Sequence, residues 1–226
     1  MRTAMILAAG RGERLRPLTD TCPKPMVKLG GKPLLEYHVL KLVEAGFERV
    51  VINHAWLGEQ IESYFGDGRH FGIEICYSPE QMALETGGGI NQALPLLGKD
   101  PFFVVNGDIY AEYPFDHLPT LADQDIGHLL LVHNPSYHEQ GDFSLDGDRI
   151  MPRYELAYTF SGMAIYRPSM FQDAPSGAFP LPQLWRPWIE KCQLSGSVVT
   201  DFWSDIGTIE RLEQAQQYLN SLRKSS

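Results

Sequence analysis

The 226-residue sequence predicts an α/β fold, a mostly parallel sheet with helices on both faces. Three observations point to it. Short apolar runs alternate with stretches of helical periodicity through the first half of the chain. Turn chemistry closes each apolar run. The composition, 43% hydrophobic and 21% charged, is that of a soluble globular chain. No repeat, low-complexity tract or linker interrupts it, so one domain over residues 1–226 is expected.

Thr3–Ala9 is an apolar run ending in small residues, as in a strand buried on both faces. Pro33–Ala45 has apolar residues at Leu34, Leu35, Tyr37, Val39, Leu40, Leu42 and Val43, close to helical spacing, and Gly46 is a natural stop. Arg49–Asn53 reads as a second strand. Gly58–Phe65 reads as a helix with Ile61, Tyr64 and Phe65 on one side. Gly72–Tyr77 alternates as a third strand, and Gly88–Leu97 is a short helix behind a glycine run. Phe102–Val105 is a fourth strand, ending at Asn106-Gly107-Asp108. Beyond it the pattern predicts strands at Gly127–Val132 and Thr159–Tyr166 and a hairpin turning at Asp146-Gly147. Helices are expected at Pro182–Lys191 and at Gly207–Leu222, the latter aligning Ile209, Leu212, Ala215 and Leu219.

Asp and Glu number 28 against 19 Lys and Arg, a formal charge of −9. Such a chain is a poor general binder of nucleic acid or anionic membrane, so neither is expected as a partner. No apolar run approaches the roughly 18 residues of a membrane span. The apolar N-terminal stretch runs straight into Gly10-Arg11-Gly12 without a plausible cleavage site and reads as a strand. Cys22, Cys76 and Cys192 are odd in number and lack metal-ligand spacing, which suggests reduced thiols and a cytoplasmic location.

Chemistry concentrates in a few segments. In Leu7-Ala8-Ala9-Gly10-Arg11-Gly12-Glu13-Arg14-Leu15-Arg16-Pro17-Leu18-Thr19 a strand ends in small residues, and three arginines follow. Turns of this kind present consecutive N–H groups to an anion. Residues 11–32 carry six basic and two acidic side chains, a local surplus within an acidic protein that a phosphate chain would explain. A surface turn with solvated arginines explains the same stretch. Leu15 stands where a dinucleotide fingerprint needs its third glycine, and no Gly-Lys-Ser/Thr of a P-loop follows. Pro23-Lys24-Pro25-Met26 holds a lysine between two prolines, suited to a fixed phosphate or to a rigid loop.

Glu85-Thr86-Gly87-Gly88-Gly89-Ile90 opens a helix with three glycines, costly unless a nucleobase or phosphate comes close or the segment is a hinge. Asn106-Gly107-Asp108 lies at the carboxyl end of a strand, where open parallel sheets bind ligands; its geometry also suits a plain turn. A carboxylate beside a phosphate site points to a bridging divalent cation, Mg²⁺ by default. Asp205, in Trp203-Ser204-Asp205-Ile206-Gly207-Thr208, reads either as a second ligand or as a helix cap.

Together these segments, in this order over nearly the whole chain, resemble the sugar-1-phosphate nucleotidyltransferases. The Gly-x-Gly-x-Arg-Leu-x-Pro-Leu-Thr stretch is the most specific part. Within that family the chain length, Ile52-Asn53-His54-Ala55-Trp56-Leu57 and Leu84-Glu85-Thr86-Gly87-Gly88-Gly89-Ile90 are most similar to the N-acetylmuramate-1-phosphate uridylyltransferases of bacterial cell-wall (peptidoglycan) recycling.

The resemblance implies a Rossmann-like three-layer nucleotidyltransferase fold with a mixed sheet, and Mg²⁺ as cofactor. It implies NTP plus sugar 1-phosphate giving NDP-sugar and pyrophosphate, with UTP and N-acetylmuramic acid 1-phosphate as substrates. Ala8, Gly10, Gly12, Glu13 and Arg14 would line the nucleotide. Arg14 and Lys24 would be catalytic. Gln81, Glu85, Thr86 and Gly87 would sit near the base, and Asn106, Gly141 and Asp142 near the sugar phosphate. Asp108 and Asp205 would bind metal. Tyr154-Glu155-Leu156-Ala157 lacks the lysine of the Glu-Lys-Pro element found in many hexose-specific relatives, which argues against a plain glucose 1-phosphate enzyme. The alternatives are another sugar-1-phosphate nucleotidyltransferase and a non-catalytic binding module of the same fold. A nicotinamide-dependent oxidoreductase is disfavoured by Leu15.

A sugar phosphate with a second pKa near 6 is already mostly ionised at neutral pH. No general base is then required, and none of the seven histidines is expected to be catalytic. Bringing two polyanions together calls for positioning and charge neutralisation.

Overall fold

The computed structural model describes residues 1–225. Along the chain run β1 (Thr3–Leu7), α1 (Leu18–Thr21), β2 (Lys28–Leu29), β3 (Lys32–Pro33), α2 (Leu34–Glu44), β4 (Arg49–His54), α3 (Gly58–Phe65), β5 (Glu74–Pro79), α4 (Glu85–Leu97) and β6 (Phe102–Asn106). There follow β7 (Ile109–Ala111), β8 (Gly127–Val132), β9 (Phe143–Asp146), β10 (Arg149–Pro152), β11 (Thr159–Tyr166), α5 (Pro182–Glu190), β12 (Leu194–Val199), β13 (Trp203–Asp205) and α6 (Ile209–Ser225).

Nine strands form one sheet in the order β5-β4-β1-β6-β11-β8-β12-β10-β9. Only β11 and β10 run against the rest, so the sheet is mixed but mostly parallel, as predicted. Side chains alternate across it: Ala4 and Ile6 of β1 join Leu35, Val39 and Leu42 of α2 and Ile61 and Phe65 of α3 on one face. Met5 and Val51 join Ile90, Ala93 and Leu97 of α4 and Leu181 and Trp185 beside and within α5 on the other. The result is a three-layer α/β/α arrangement. α6 closes a smaller cluster with Leu29, Leu34, Tyr110 and Ile206.

The topology places the site. From β1 the chain moves outward to β4 and β5, then returns to β6 on the other side of β1. The reversal opens a crevice at the carboxyl ends of β1 and β6, where sheets of this kind take ligands. Gly107 allows the close approach: its N–H donates to the Leu7 carbonyl at 2.9 Å, and a Cβ there would stand 2.9 Å from that oxygen.

Several expectations are corrected. Tyr64 is exposed and donates to Glu36 at 2.5 Å; the eight-residue α3 buries only the narrow Ile61–Phe65 stripe. α4 begins at Glu85, so the glycines lie inside the helix. The strand β12 is unforeseen because Ser195 and Ser197 break its apolar pattern. Both hydroxyls bond the His128 ring, each at 2.9 Å, and Gly196 makes room for Ile150. The two-stranded β2–β3 and β7–β13 pairs are also unforeseen, each strand being only two or three residues long. The hairpin turns through Gly147-Asp148, with Gly147 at φ +60° as a two-residue loop requires.

Candidate active site

Three cavities of about 460, 350 and 320 Å³ open at the carboxyl end of β6, and Asn106 lines all three. Each is built by different elements.

The first cavity lies over the loop that follows β1. Leu7, Ala9, Gly10, Arg11 and Gly12 line it, with Trp56, Glu80, Glu85 and Thr86 opposite. Gly12 has φ +72°, and a Cβ there would meet the Lys24 side chain at 2.9 Å. The loop is held by Thr19, whose hydroxyl donates to the Gly12 carbonyl at 2.8 Å. Arg11 stacks over the Trp56 ring at 4.0 Å and donates to the Thr19 carbonyl, forming a wall.

Beneath lies a buried polar floor. Asn53 accepts the Ala8 N–H at 2.9 Å and donates to Glu80 Oε1 at 2.6 Å. Glu80 Oε2 accepts the Leu84 N–H at 3.0 Å, and the Glu80 N–H reaches the His54 carbonyl. Two side chains thereby tie the ends of β1, β4 and β5 to the start of α4. This floor explains Gly89, whose Cβ would stand 2.7 Å from Glu80 Oε1 and 2.8 Å from Asn53 Nδ2.

The second cavity is mostly apolar, walled by Val104, Phe143, Phe160, Ala164, Tyr166 and Trp185, with Thr86, Asn106 and Asp142 as polar handles. The Trp185 indole meets Phe143 and Phe160 with centroids 5.4 and 5.0 Å apart and donates to the Tyr166 hydroxyl at 3.2 Å.

The third cavity is polar and gathers Arg14, Asn106, Asp108, Tyr137, His138, Asp205 and Arg211. Strand pairing of β7 with β13 sets Asp205 opposite Ile109, the neighbour of Asp108, and the Ile206 N–H bonds the Asp108 carbonyl at 2.7 Å. Asp108 pairs with Lys24, whose side chain is nearly buried. Both Asp205 oxygens lie 2.6 Å from Arg211 Nη1, and Asp205 also accepts the Tyr137 hydroxyl. Burial and then that bond push the Tyr137 hydroxyl up to about 12, so it remains a donor at neutral pH. Asn106 has its space because Gly162, at φ +82° in a bulge of β11, carries no Cβ; one there would stand 2.7 Å from Asn106 Nδ2.

Gly10, Gly12, Lys24, Glu85, Thr86, Asn106 and Asp108 line the first cavity. Asp142 lines the second, while Arg14, Asp108 and Asp205 meet in the third. Five expected residues do not line any of the three. Ala8 lies below the loop, its N–H used by Asn53. Glu13 points outward to Arg16 at 3.1 Å. Gln81 is exposed, and Glu80 and Ala83 take that part of the wall. Gly87 is buried with its N–H on the Phe179 carbonyl; a Cβ there would stand 2.3 Å from the Phe179 ring. The glycine run therefore serves close packing of α4 on the chain. Gly141 is a buried turn residue at φ +65° against Asn134.

Sequence reasoning missed Asn53 as part of the floor, and Glu80, Tyr137 and Arg211. Only Asn53 lies in a segment singled out above; the others are lone polar residues whose roles depend on distant partners. His38 is buried and has no partner at Nε2 among the described residues, and burial pushes it down to about 4, so it is neutral at pH 7.

The nucleotidyl transferase family matches residues 3–140. An N-acetylmuramate alpha-1-phosphate uridylyltransferase of Neisseria meningitidis is 49% identical over 94% of this chain and 96% of its own. One from Caulobacter vibrioides is 33% identical over 91% and 92%. The structure of a UDP-glucose pyrophosphorylase complexed with UDP-glucose superposes with a TM-score of 0.80 at 18% identity, over 98% of this chain and 99% of that one, a likeness of fold. A crevice at the reversal of the sheet, a cationic lysine and arginine beside paired carboxylates, and this kinship together make the chain a member of the nucleotidyl transferase family, among its sugar-1-phosphate nucleotidyltransferases.

Proposed function

We propose that this chain transfers a uridylyl group from UTP to N-acetylmuramic acid 1-phosphate, yielding UDP-N-acetylmuramic acid and pyrophosphate in cell-wall recycling. The observation that carries the reading is the meeting of three chemically different cavities at Asn106. The glycine loop suits a nucleotide, the aromatic-walled cavity suits a sugar with apolar substituents, and the polar cavity suits the reacting phosphates. Identity of 49% to the Neisseria meningitidis enzyme supports both substrates.

The residues fit a magnesium ion of the kind that takes one or two carboxylates and completes its shell with phosphate and water oxygens. Asp108 and Asp205 would hold it. When bound, such an ion would supply charge neutralisation to the phosphates.

The chain's own residues do the remainder. Lys24 is kept rigid between Pro23 and Pro25 and has its ammonium at Asp108, at the border of the first and third cavities. Its point charge serves the phosphate undergoing substitution. Arg14, exposed and lining the third cavity, supplies a second cation. A sugar phosphate oxygen attacks the α-phosphorus, its bond forms as the bond to pyrophosphate breaks, and no proton need move. We also propose that the chain works as one catalytic domain.

The test is pyrophosphate release from each NTP, dTTP included, against a panel of sugar 1-phosphates with Mg²⁺. UTP with N-acetylmuramic acid 1-phosphate is expected to give the highest kcat/KM, and preference for another pair would overturn the specificity. Asp108→Asn is expected to abolish release while the fold survives; near-normal turnover would remove the metal role.

A further inference from the structure

The polar cavity holds a nearly buried cation carried on α6. We propose that Arg211, from the first turn of α6, binds the phosphate of the sugar 1-phosphate, and that Asp205 occupies its guanidinium only until the divalent cation and that phosphate arrive. The proposal rests on the uridylyl-transfer reading above.

Four observations carry it. Arg211 lines the polar cavity together with Arg14 and Asn106, and its side chain is only 9% exposed. A guanidinium taken that far from water needs a stronger reason than a surface ion pair provides. Its orientation is built in: the Tyr137 ring lies 4.2 Å from the guanidinium carbon, and Thr208 is at the edge of hydrogen-bond reach of Nε.

The engagement with Asp205 is one-sided. Nη1 contacts both carboxylate oxygens, whereas Nη2 lies toward Gly207. A Cβ at Gly207 would stand 2.3 Å from Arg211 Nη2 and 3.2 Å from Arg14 Nη2. The absence of a side chain at that position thus lets two guanidinium groups converge on one small space. Like charges gathered this way suit a doubly charged anion, and guanidinium is the side chain best shaped to take two phosphate oxygens at once.

The exchange is also balanced in charge. In the free protein Lys24 pairs with Asp108 and Arg211 pairs with Asp205. A divalent cation held by the two carboxylates would free Lys24 and Arg211, leaving both side chains available to the incoming phosphates. The site would open to sugar phosphate only once the metal is in place.

The experiment compares wild type, Arg211→Gln and Arg211→Lys by three readouts. The first is Mn²⁺ binding to the nucleotide-free proteins, followed by electron paramagnetic resonance. The second is calorimetric binding of N-acetylmuramic acid 1-phosphate to the Mg²⁺-loaded proteins. The third is the KM for each substrate in pyrophosphate release. Arg211→Gln is expected to bind Mn²⁺ more tightly, because Asp205 loses its competing partner. The same variant should weaken sugar phosphate binding and raise its KM by at least about tenfold, with the KM for UTP little changed. Arg211→Lys should fall between, keeping the charge but not the fork. Weaker Mn²⁺ binding with unchanged sugar phosphate binding would overturn the proposal, since Arg211 would then merely hold Asp205 in place. An equal rise in both KM values would overturn it too. Arg211-dependent binding of the sugar phosphate without turnover in wild type would uphold it while defeating the transfer reaction.

Discussion

Asn53→Asp changes one atom and reverses the logic of the cavity floor. In the native protein Asn53 Nδ2 donates to Glu80 Oε1 at 2.6 Å, and the two residues are 2% and 7% exposed. After the substitution an oxygen replaces that donor, and two carboxyl groups face each other at the same separation. They cannot both be ionised there without a large penalty, so one proton is shared and the pair's folded pKa rises above that of the unfolded chain. A rise of two to three pK units corresponds to roughly 3–4 kcal/mol at pH 8, similar to the loss of a buried hydrogen bond to a charged group. The sign follows from linkage. The folded variant binds more protons than the unfolded one, so its deficit against wild type is small below about pH 4 and grows as pH rises. Urea unfolding of both proteins at pH 5 and pH 8 measures it. A deficit under about 1 kcal/mol at pH 8, or one that does not grow between the two pH values, would refute the view that this pair is a sealed brace under the first cavity.

Lys24→Ala is expected to lower kcat by on the order of 10²–10³ with a smaller change in KM, because its charge matters most as the phosphorus is substituted; steady-state pyrophosphate release reads the split, and a pure KM effect contradicts the role. Gly87→Ala pushes a methyl group into the Phe179 ring and should cost about 1–3 kcal/mol, whereas Gly10→Ala, with nothing within 4 Å, should leave thermal stability unchanged. Equal melting temperatures for the two variants would contradict the packing role of the glycine run. His38 has a folded pKa near 4 against 6.5 when unfolded, so the unfolded state takes up the extra proton. Its contribution is complete above about pH 6.5 and falls away toward pH 4, by up to roughly 3 kcal/mol. Replacing His38 by Phe should flatten this part of the stability profile, and an unchanged profile would assign the acid sensitivity elsewhere.

How far the chain could be read varied with the range of the interaction. β1, β4, α2, α3 and β6 follow from apolar periodicity and from glycine stops such as Gly46, which act over a few residues. So does the glycine loop after β1, because a turn of this kind needs small residues whatever surrounds it. Lys24, Asp108 and Asp205 each sit in a short segment of distinctive chemistry that alone also suits a rigid loop, a turn or a cap, and only the family resemblance joins them as a set. The glycines of α4 show where this reasoning stops. Their number signals close approach, but nothing local says whether a ligand or Phe179 does the approaching.

The remaining features depend on partners far along the chain. Glu80 becomes part of the floor only because β4 lies between β1 and β5, and Arg211 reaches the polar cavity only because β13 pairs with β7. β12 escaped notice because its serines are matched by His128 on a neighbouring strand. Amino-acid order alone determined the layered class, the glycine loop after β1 and the two separate acidic segments, since these arise from contacts within a turn or two of each residue. Folding in three dimensions decided which glycines face solvent, which carboxylates are braced and which arginine turns inward, since burial and pairing belong to no single segment.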